Sequence, residues 1–163
     1  MGFLKSKNYR YYLLCQWLYL NGLRFAEGAG MVKSDVILSD HRGYCIVDGN
    51  LDYHGNKVSE QGKTKETKTK AGTREVDINS RAIEIYKEAC ALSANSDFIF
   101  TTKNGTPIQP NAINSFLRNH KEEMGIPKNK RVSTHIFRHT HISKLAELEV
   151  PLYVIQRRVG HSS

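Results

Sequence analysis

The stretch from Asn8 to Leu20 constrains the fold most. Tyr11, Leu14, Cys15 and Leu18 fall at helical spacing, Leu13 and Trp17 widen the apolar face, and Asn21-Gly22 supplies the stop. The spacing predicts a buried helix, so other elements must cover it. Directly after the stop, Leu23-Arg24-Phe25-Ala26-Glu27 reads as the start of a second helix, weakened by Gly28 and Gly30. Arg24 and Glu27 stand one turn apart, so Glu27 can hold Arg24. Taken alone, that spacing reads as a surface ion pair worth a few tenths of a kcal/mol.

From Asp35 the pattern changes to short strands, Val36-Ile37 and Tyr44-Cys45-Ile46-Val47, separated by the turn-forming Asp40-His41-Arg42-Gly43. A lysine-rich run follows at Lys63, Lys65, Lys68 and Lys70, then Ala71-Gly72 as a turn and Thr73 to Ile78 as an alternating strand. The pattern is a hairpin with lysines at its tip. Lys68 and Lys70 point to one face of the pleat, which leaves open which of them reaches a ligand. By itself the run reads as a solvated edge, because lysines protect exposed strands from pairing. Ser80 then caps a helix through Leu92 with Ile83, Ile85, Tyr86 and Ala89 on its apolar side. Phe98-Ile99-Phe100 is a short buried segment, and Lys103-Asn104-Gly105 a turn. Pro110-Asn111 starts a helix carrying Ile113, Phe116 and Leu117, which leads into a basic loop with Arg118, Lys121, Lys128, Lys130 and Arg131.

The last stretch, Thr134 to Ser163, holds four of the chain's seven histidines. His135 and Arg138 lie at i and i+3 and share one helix face, with Ser133 or Thr134 as the N-cap. Pro151 opens another helix whose apolar positions are Leu152, Ile155 and Val159. Gly160 closes it, so His161 emerges just past a helix end. Two consecutive helices thus present His135, Arg138 and His161, a set of cationic and polar donors suited to an anion.

Charge points the same way. The 163 residues carry 24 Lys plus Arg against 16 Asp plus Glu, a net charge of +8, which suggests a polyanionic partner, nucleic acid first. No apolar run approaches the roughly 20 residues of a membrane span, and Met1 to Arg10 is too polar and aromatic for a signal peptide. A soluble, cytoplasmic protein of one domain is expected. Cys15, Cys45 and Cys90 are odd in number and widely separated, so they read as reduced cysteines. No phosphate loop of the G-x-x-x-x-G-K-[ST] type occurs, so ATP use is not indicated. One rival is a zinc site, with His135 and His139 at i, i+4 and His141 or His161 nearby. No Glu follows His135 as in H-E-x-x-H, and Arg138 within the cluster would repel a divalent cation. A second rival is a DNA-binding module without catalysis.

In order, the chain offers Asn21-Gly22-Leu23-Arg24 with Glu27, then Thr69-Lys70-Ala71-Gly72. After these come His135-Ile136-Phe137-Arg138-His139-Thr140-His141 and Ile155-Gln156-Arg157-Arg158-Val159-Gly160-His161-Ser162-Ser163. This resembles the tyrosine recombinases, the phage and transposon integrase family, over nearly the whole chain. The resemblance implies an α+β, mainly helical catalytic core with a small antiparallel sheet that cuts and rejoins double-stranded DNA. The family does so through a 3′-phosphotyrosine and a free 5′-hydroxyl, with no metal or cofactor. It further implies that Arg24 and Arg138 clamp the scissile phosphate and that Lys70, with Lys68 as the alternative, protonates the departing 5′-oxygen. His135 would bond the phosphate or help remove the tyrosine proton, His161 would donate to a phosphate oxygen, and Glu27 would orient Arg24. The family's nucleophilic tyrosine lies a few helical turns beyond Gly-His-Ser-Ser. None of the eight tyrosines here has that context, and Tyr153 sits where the apolar helix face needs it. The expectation is therefore a catalytic domain, residues 1–163, truncated before its nucleophile and lacking the N-terminal DNA-gripping domains. Such a fragment would be a monomer that binds DNA without cleaving it. The full-length protein would work in a bacterial cell as a tetramer of recombinase protomers on DNA.

Overall fold

A computed structural model describes residues 1–53, 57–64 and 73–161. The central helix is α2, Tyr9–Asn21. Asn8 caps it by accepting from the Tyr11 N–H, and Gly22 ends it in the left-handed region at φ 67°. Its burial is nearly all round: Tyr12, Leu13, Leu14, Cys15, Trp17 and Leu18 are all in the core. A short α1, Gly2–Lys7, precedes it and was not anticipated. Short α3, Phe25–Ala29, follows, and α2 packs against α1, α3, α4 (Ser80–Leu92) and α6 (His135–Glu147). Each large apolar side chain removed from water at these contacts contributes about 1.5–3 kcal/mol.

Strands β1 (Val36–Leu38), β2 (Gly43–Val47) and β5 (Arg74–Asp77) form an antiparallel sheet in the order β1-β2-β5. Val36 lies opposite Cys45, and Cys45 opposite Val76. Strands β3 (Asn50–Asp52) and β4 (Gly62–Thr64) make a separate antiparallel pair. Most of the expected lysine-tipped hairpin, residues 65 to 72 with Lys68 and Lys70, lies outside the described residues; of the segments on either side of it, β4 pairs with β3 and β5 with β2. Lys63 does not sit on a solvated edge; its ammonium donates to Asp35 at 2.9 Å and to Asp48 at 2.7 Å.

Helix α4 begins where expected, but Asn79 rather than Ser80 caps it, accepting from Ala82 N–H. Helix α5, Pro110–Asn119, starts on its proline and buries Ile113 and Leu117. Phe98 to Phe100 is buried at Ile99 and Phe100, tied to Met31 and Val32 by a single bridge rather than a strand. Helix α7, Leu152–Val159, buries Ile155 and Val159 and closes on Gly160 at φ 75°. Leu152 and Tyr153, assigned to its apolar face, are 69% and 66% exposed, because only the face around Ile155 and Val159 meets the rest of the fold. Cys15 and Cys45 are buried free thiols whose pKa is raised by desolvation, and Cys90 is half-buried. Among the described residues no helix is long and apolar enough to cross a membrane.

Candidate active site

The C-terminal end of α2 organises the site. A helix end leaves carbonyls without intrahelical donors, and cationic side chains satisfy them best. Three side chains from α6 and α7 do so here. Arg138 Nη1 donates to the Gly22 carbonyl at 2.9 Å, Arg158 Nη2 to that of Leu20 at 3.3 Å, and His141 Nδ1 lies 2.8 Å from that of Tyr19. Arg138 and His141 share a face of α6 at i and i+3, so one helix delivers both.

Arg138 is 7% exposed, and its Nη2 has no hydrogen-bond partner among the described residues. Its pKa falls to about 10, first through burial, then through the like charge of Arg24, with Glu27 opposing and Arg74 adding to the fall. The guanidinium remains charged at neutral pH, beside a second arginine and short of counter-charge. Arg24 opens α3 with its side chain 41% exposed, and its Nη1 stands 3.6 Å from Glu27. Glu27 is not the surface ion pair its spacing suggested: its side chain is 2% exposed, and it accepts from the Arg24 backbone N–H at 2.9 Å. Its main side-chain partner is Arg74, at 2.9 and 3.2 Å.

His135 is exposed at the first turn of α6, three residues before Arg138. Neither candidate cap there behaves as expected. Thr134 is buried and bonds through its N–H to Asn114, while the Ser133 hydroxyl accepts from the His135 N–H at 3.3 Å. His161 is exposed just after Gly160, its N–H donating to the Gln156 carbonyl. Arg24 and Glu27 are thus in contact, and Arg138 feels the charge of both. His135 stands one turn before Arg138 on α6 and His161 two residues past the end of α7, and no hydrogen bond from either ring is made among the described residues. Lys70 and Lys68 lie outside those residues.

Sequence patterning did not single out Arg74 or Arg158 as functional candidates, and it considered His141 only as a ligand of the rival zinc site. Arg74 left a signal, since it stands in phase with Val76 on the buried side of β5, where an arginine needs a partner. Arg158 spans elements far apart in sequence, donating to Asp77 and Leu20 carbonyls and, at 3.1 Å, to His141 Nε2. That bond fixes the imidazole as neutral, with Nδ1–H toward Tyr19 and the Nε2 lone pair toward Arg158.

His141 accordingly has a pKa pushed down to about 4, by burial first and by Arg158 next. The unfolded chain takes up this proton near pH 6.5 and the folded chain only near pH 4, so the stability is full above pH 6.5 and lost as pH falls to 4. The loss is on the order of 3 kcal/mol. Urea unfolding at pH 7.5 and 4.5 checks it: His141→Gln should shrink the difference between the two pH values by most of that amount, and an unchanged difference would exclude His141 as its source.

A zinc site needs three converging ligands. No group of three His, Cys, Asp or Glu side chains is placed to hold a metal among the described residues, and both ring nitrogens of His141 are committed.

Arg24 at the start of α3 and Arg138, bonded to the Gly22 carbonyl, bring two positive charges to the end of one buried helix, a chemistry suited to an anion. The chain belongs to the phage integrase family, which matches it over residues 1–163. It is 36% identical to the probable integrase of prophage ps2 from Lactococcus lactis subsp. lactis (strain IL1403), over 91% of this chain and 41% of that protein. It is 35% identical to the integrase of Staphylococcus phage L54a, over 87% of this chain and 42% of that one. The chain therefore spans about two-fifths of the length of these relatives. The fold is that of the tyrosine recombinase catalytic core. The Tn1549 transposon integrase, in complex with transposon right end DNA, superposes with a TM-score of 0.79 at 21% identity, over 99% of this chain and 55% of that one. The lambda integrase catalytic core does so at 0.67 and 15% identity, over 97% of this chain and 83% of that one.

Proposed function

We propose that residues 1–163 form the phosphate-gripping part of a site-specific recombinase, which cleaves and rejoins double-stranded DNA through a 3′-phosphotyrosine. The observation that carries this is Arg138. A buried guanidinium with an unpartnered Nη2, next to an exposed Arg24, is a site short of one anion. A phosphodiester approaching its pentacoordinate transition state gathers charge on the non-bridging oxygens, and two fixed guanidinium forks stabilise it. Glu27 holds the start of α3 and so the base of Arg24. His135 on α6 and His161 just past α7, both exposed, would donate to phosphate oxygens as the charge develops. By resemblance Lys70, or Lys68, would protonate the leaving 5′-oxygen, a task suited to an ammonium because its pKa falls in a cationic site. By family resemblance the attacking tyrosine is carried beyond position 163, and the working assembly is a tetramer on DNA. The built-in cations do the work a metal does elsewhere.

Phosphate contacts dominate such binding, so affinity for a labelled duplex should fall steeply with salt, with a log-log slope of about −0.9 per phosphate neutralised. Equal affinity at 50 and 300 mM salt (concentrations on the order of those over which such slopes are read) would remove the reading. In the full-length protein, a nicked suicide duplex should yield a covalent protein–DNA adduct. That adduct should be lost on Arg24→Ala while the protein stays folded.

A further inference from the structure

The carboxylate of Glu27 has two claimants. Arg24 Nη1 stands off at 3.6 Å, whereas Arg74 meets both oxygens, Nη1 to Oε2 at 2.9 Å and Nη2 to Oε1 at 3.2 Å. The Arg74 and Glu27 side chains are 5% and 2% exposed, and that of Arg24 is 41% exposed. A buried carboxylate must be paired. If Arg74 did not pair it, the nearest cation able to do so is Arg24, and a guanidinium folded onto Glu27 is lost to phosphate. The third donor of Arg74, Nε, goes elsewhere: it bonds the Arg158 carbonyl at 2.7 Å, in the last turn of α7, three residues before His161. One side chain on β5 thus joins the carboxylate under Arg24 to the helix that carries His161. Only a planar fork with three separate donors can do this; an ammonium cannot hold both partners in that geometry.

We infer that Arg74 is a positioning residue of the phosphate clamp: it occupies Glu27 so that Arg24 stays free for phosphate, and it anchors the end of α7 to the same point. This rests on the phosphate-clamp reading of Arg24 and Arg138. Arg74 itself touches no DNA, being buried, so any effect on DNA binding must pass through its partners.

The test uses this chain, a fluorescein-labelled duplex and anisotropy across a salt series, with folding followed by circular dichroism and urea unfolding. Arg74→Met should weaken binding about tenfold and reduce the salt slope by about one phosphate, the signature of a lost surface contact from a residue that has none. Adding Glu27→Gln removes the unpaired carboxylate while keeping an oxygen for the Arg24 N–H. That double variant should return to within about threefold of the parent. In an Arg24→Ala background, Arg74→Met should cost no further affinity. A purely structural role would give the reverse: no rescue by Glu27→Gln, and additive losses. Should Arg74→Met fail to fold, Arg74→Met/Glu27→Gln decides the matter: about threefold loss or less supports the role, and about tenfold loss while folded overturns it. Parent binding with Arg74→Met at full slope overturns this inference alone. A parent that binds no duplex at low salt overturns the clamp reading and this inference with it.

Discussion

Gly22→Ala is expected to destabilise the chain by about 3 kcal/mol. Gly22 ends α2 at φ 67°, where a residue with a Cβ is strained by about 1–2 kcal/mol. The added Cβ would also stand 2.4 Å from His141 Cδ2, 2.9 Å from His141 Nε2 and 3.0 Å from Val159 Cγ1. None of these can retreat cheaply. The His141 ring is fixed between the Tyr19 carbonyl and Arg158, and Val159 is 1% exposed. Overpacking of this kind costs about 1–3 kcal/mol. Because the contact is with the two helices that carry Arg138 and His161, duplex affinity should fall along with stability. Urea unfolding gives the first and anisotropy the second. In a His141→Ala background the two ring contacts are removed but the backbone strain and the Val159 contact stay, so the penalty should drop to about 2 kcal/mol. A parent-like unfolding midpoint for Gly22→Ala would show that the junction of α2 with α6 and α7 is looser than its geometry.

Gly22 also marks how far the sequence could be read. Asn21-Gly22 announced the end of α2 because the left-handed cap is a local demand, met by one residue type. Gly160 announced the end of α7 for the same reason, Pro110 the start of α5 because its ring fixes a helical φ, and the apolar spacing of α2 and α4 announced their buried faces. What periodicity could not tell was how much of a face would find cover. Leu152 and Tyr153 fit the apolar pattern of α7, yet only Ile155 and Val159 are buried there. The small strands β3 and β4 were missed because Asn50-Leu51-Asp52 and Gly62-Lys63-Thr64 hold a single apolar residue between them, whereas the equally short β1 is Val-Ile-Leu. Among candidate site residues, Arg24 and Arg138 were named through the family resemblance, but the side chains that hold their surroundings were not. Arg74 lies 47 residues from Glu27, and Arg158 lies 138 from Leu20, so only the folded chain brings them together. The burial of Glu27 was hidden for the same reason. An i,i+3 pair looks like surface until a third group from another strand closes over it.

Arg138→Met is expected to move stability and function in opposite directions. A residue kept for the fold destabilises when removed, but Arg138 is held against its own interest. Burial and the charge of Arg24 bring its pKa from 12.5 to about 10, so the folded chain disfavours its charged form by on the order of 3 kcal/mol. One hydrogen bond to the Gly22 carbonyl returns about 1.5–3 kcal/mol, and Nη2 returns nothing while it lacks a partner. Methionine fills the aliphatic volume without the charge. The variant should therefore match the parent or exceed it by about 1 kcal/mol in urea unfolding. Duplex affinity should drop about tenfold, with the salt slope reduced by about one phosphate. Bound duplex should in turn stabilise the parent more than the variant, because a phosphate completes Arg138 only where Arg138 is present. The sign is what discriminates. A strongly destabilised Arg138→Met that still binds duplex with the parent's slope would make Arg138 a strut for the end of α2; a stable variant that has lost a phosphate makes it the half of a clamp that folding alone leaves unsatisfied.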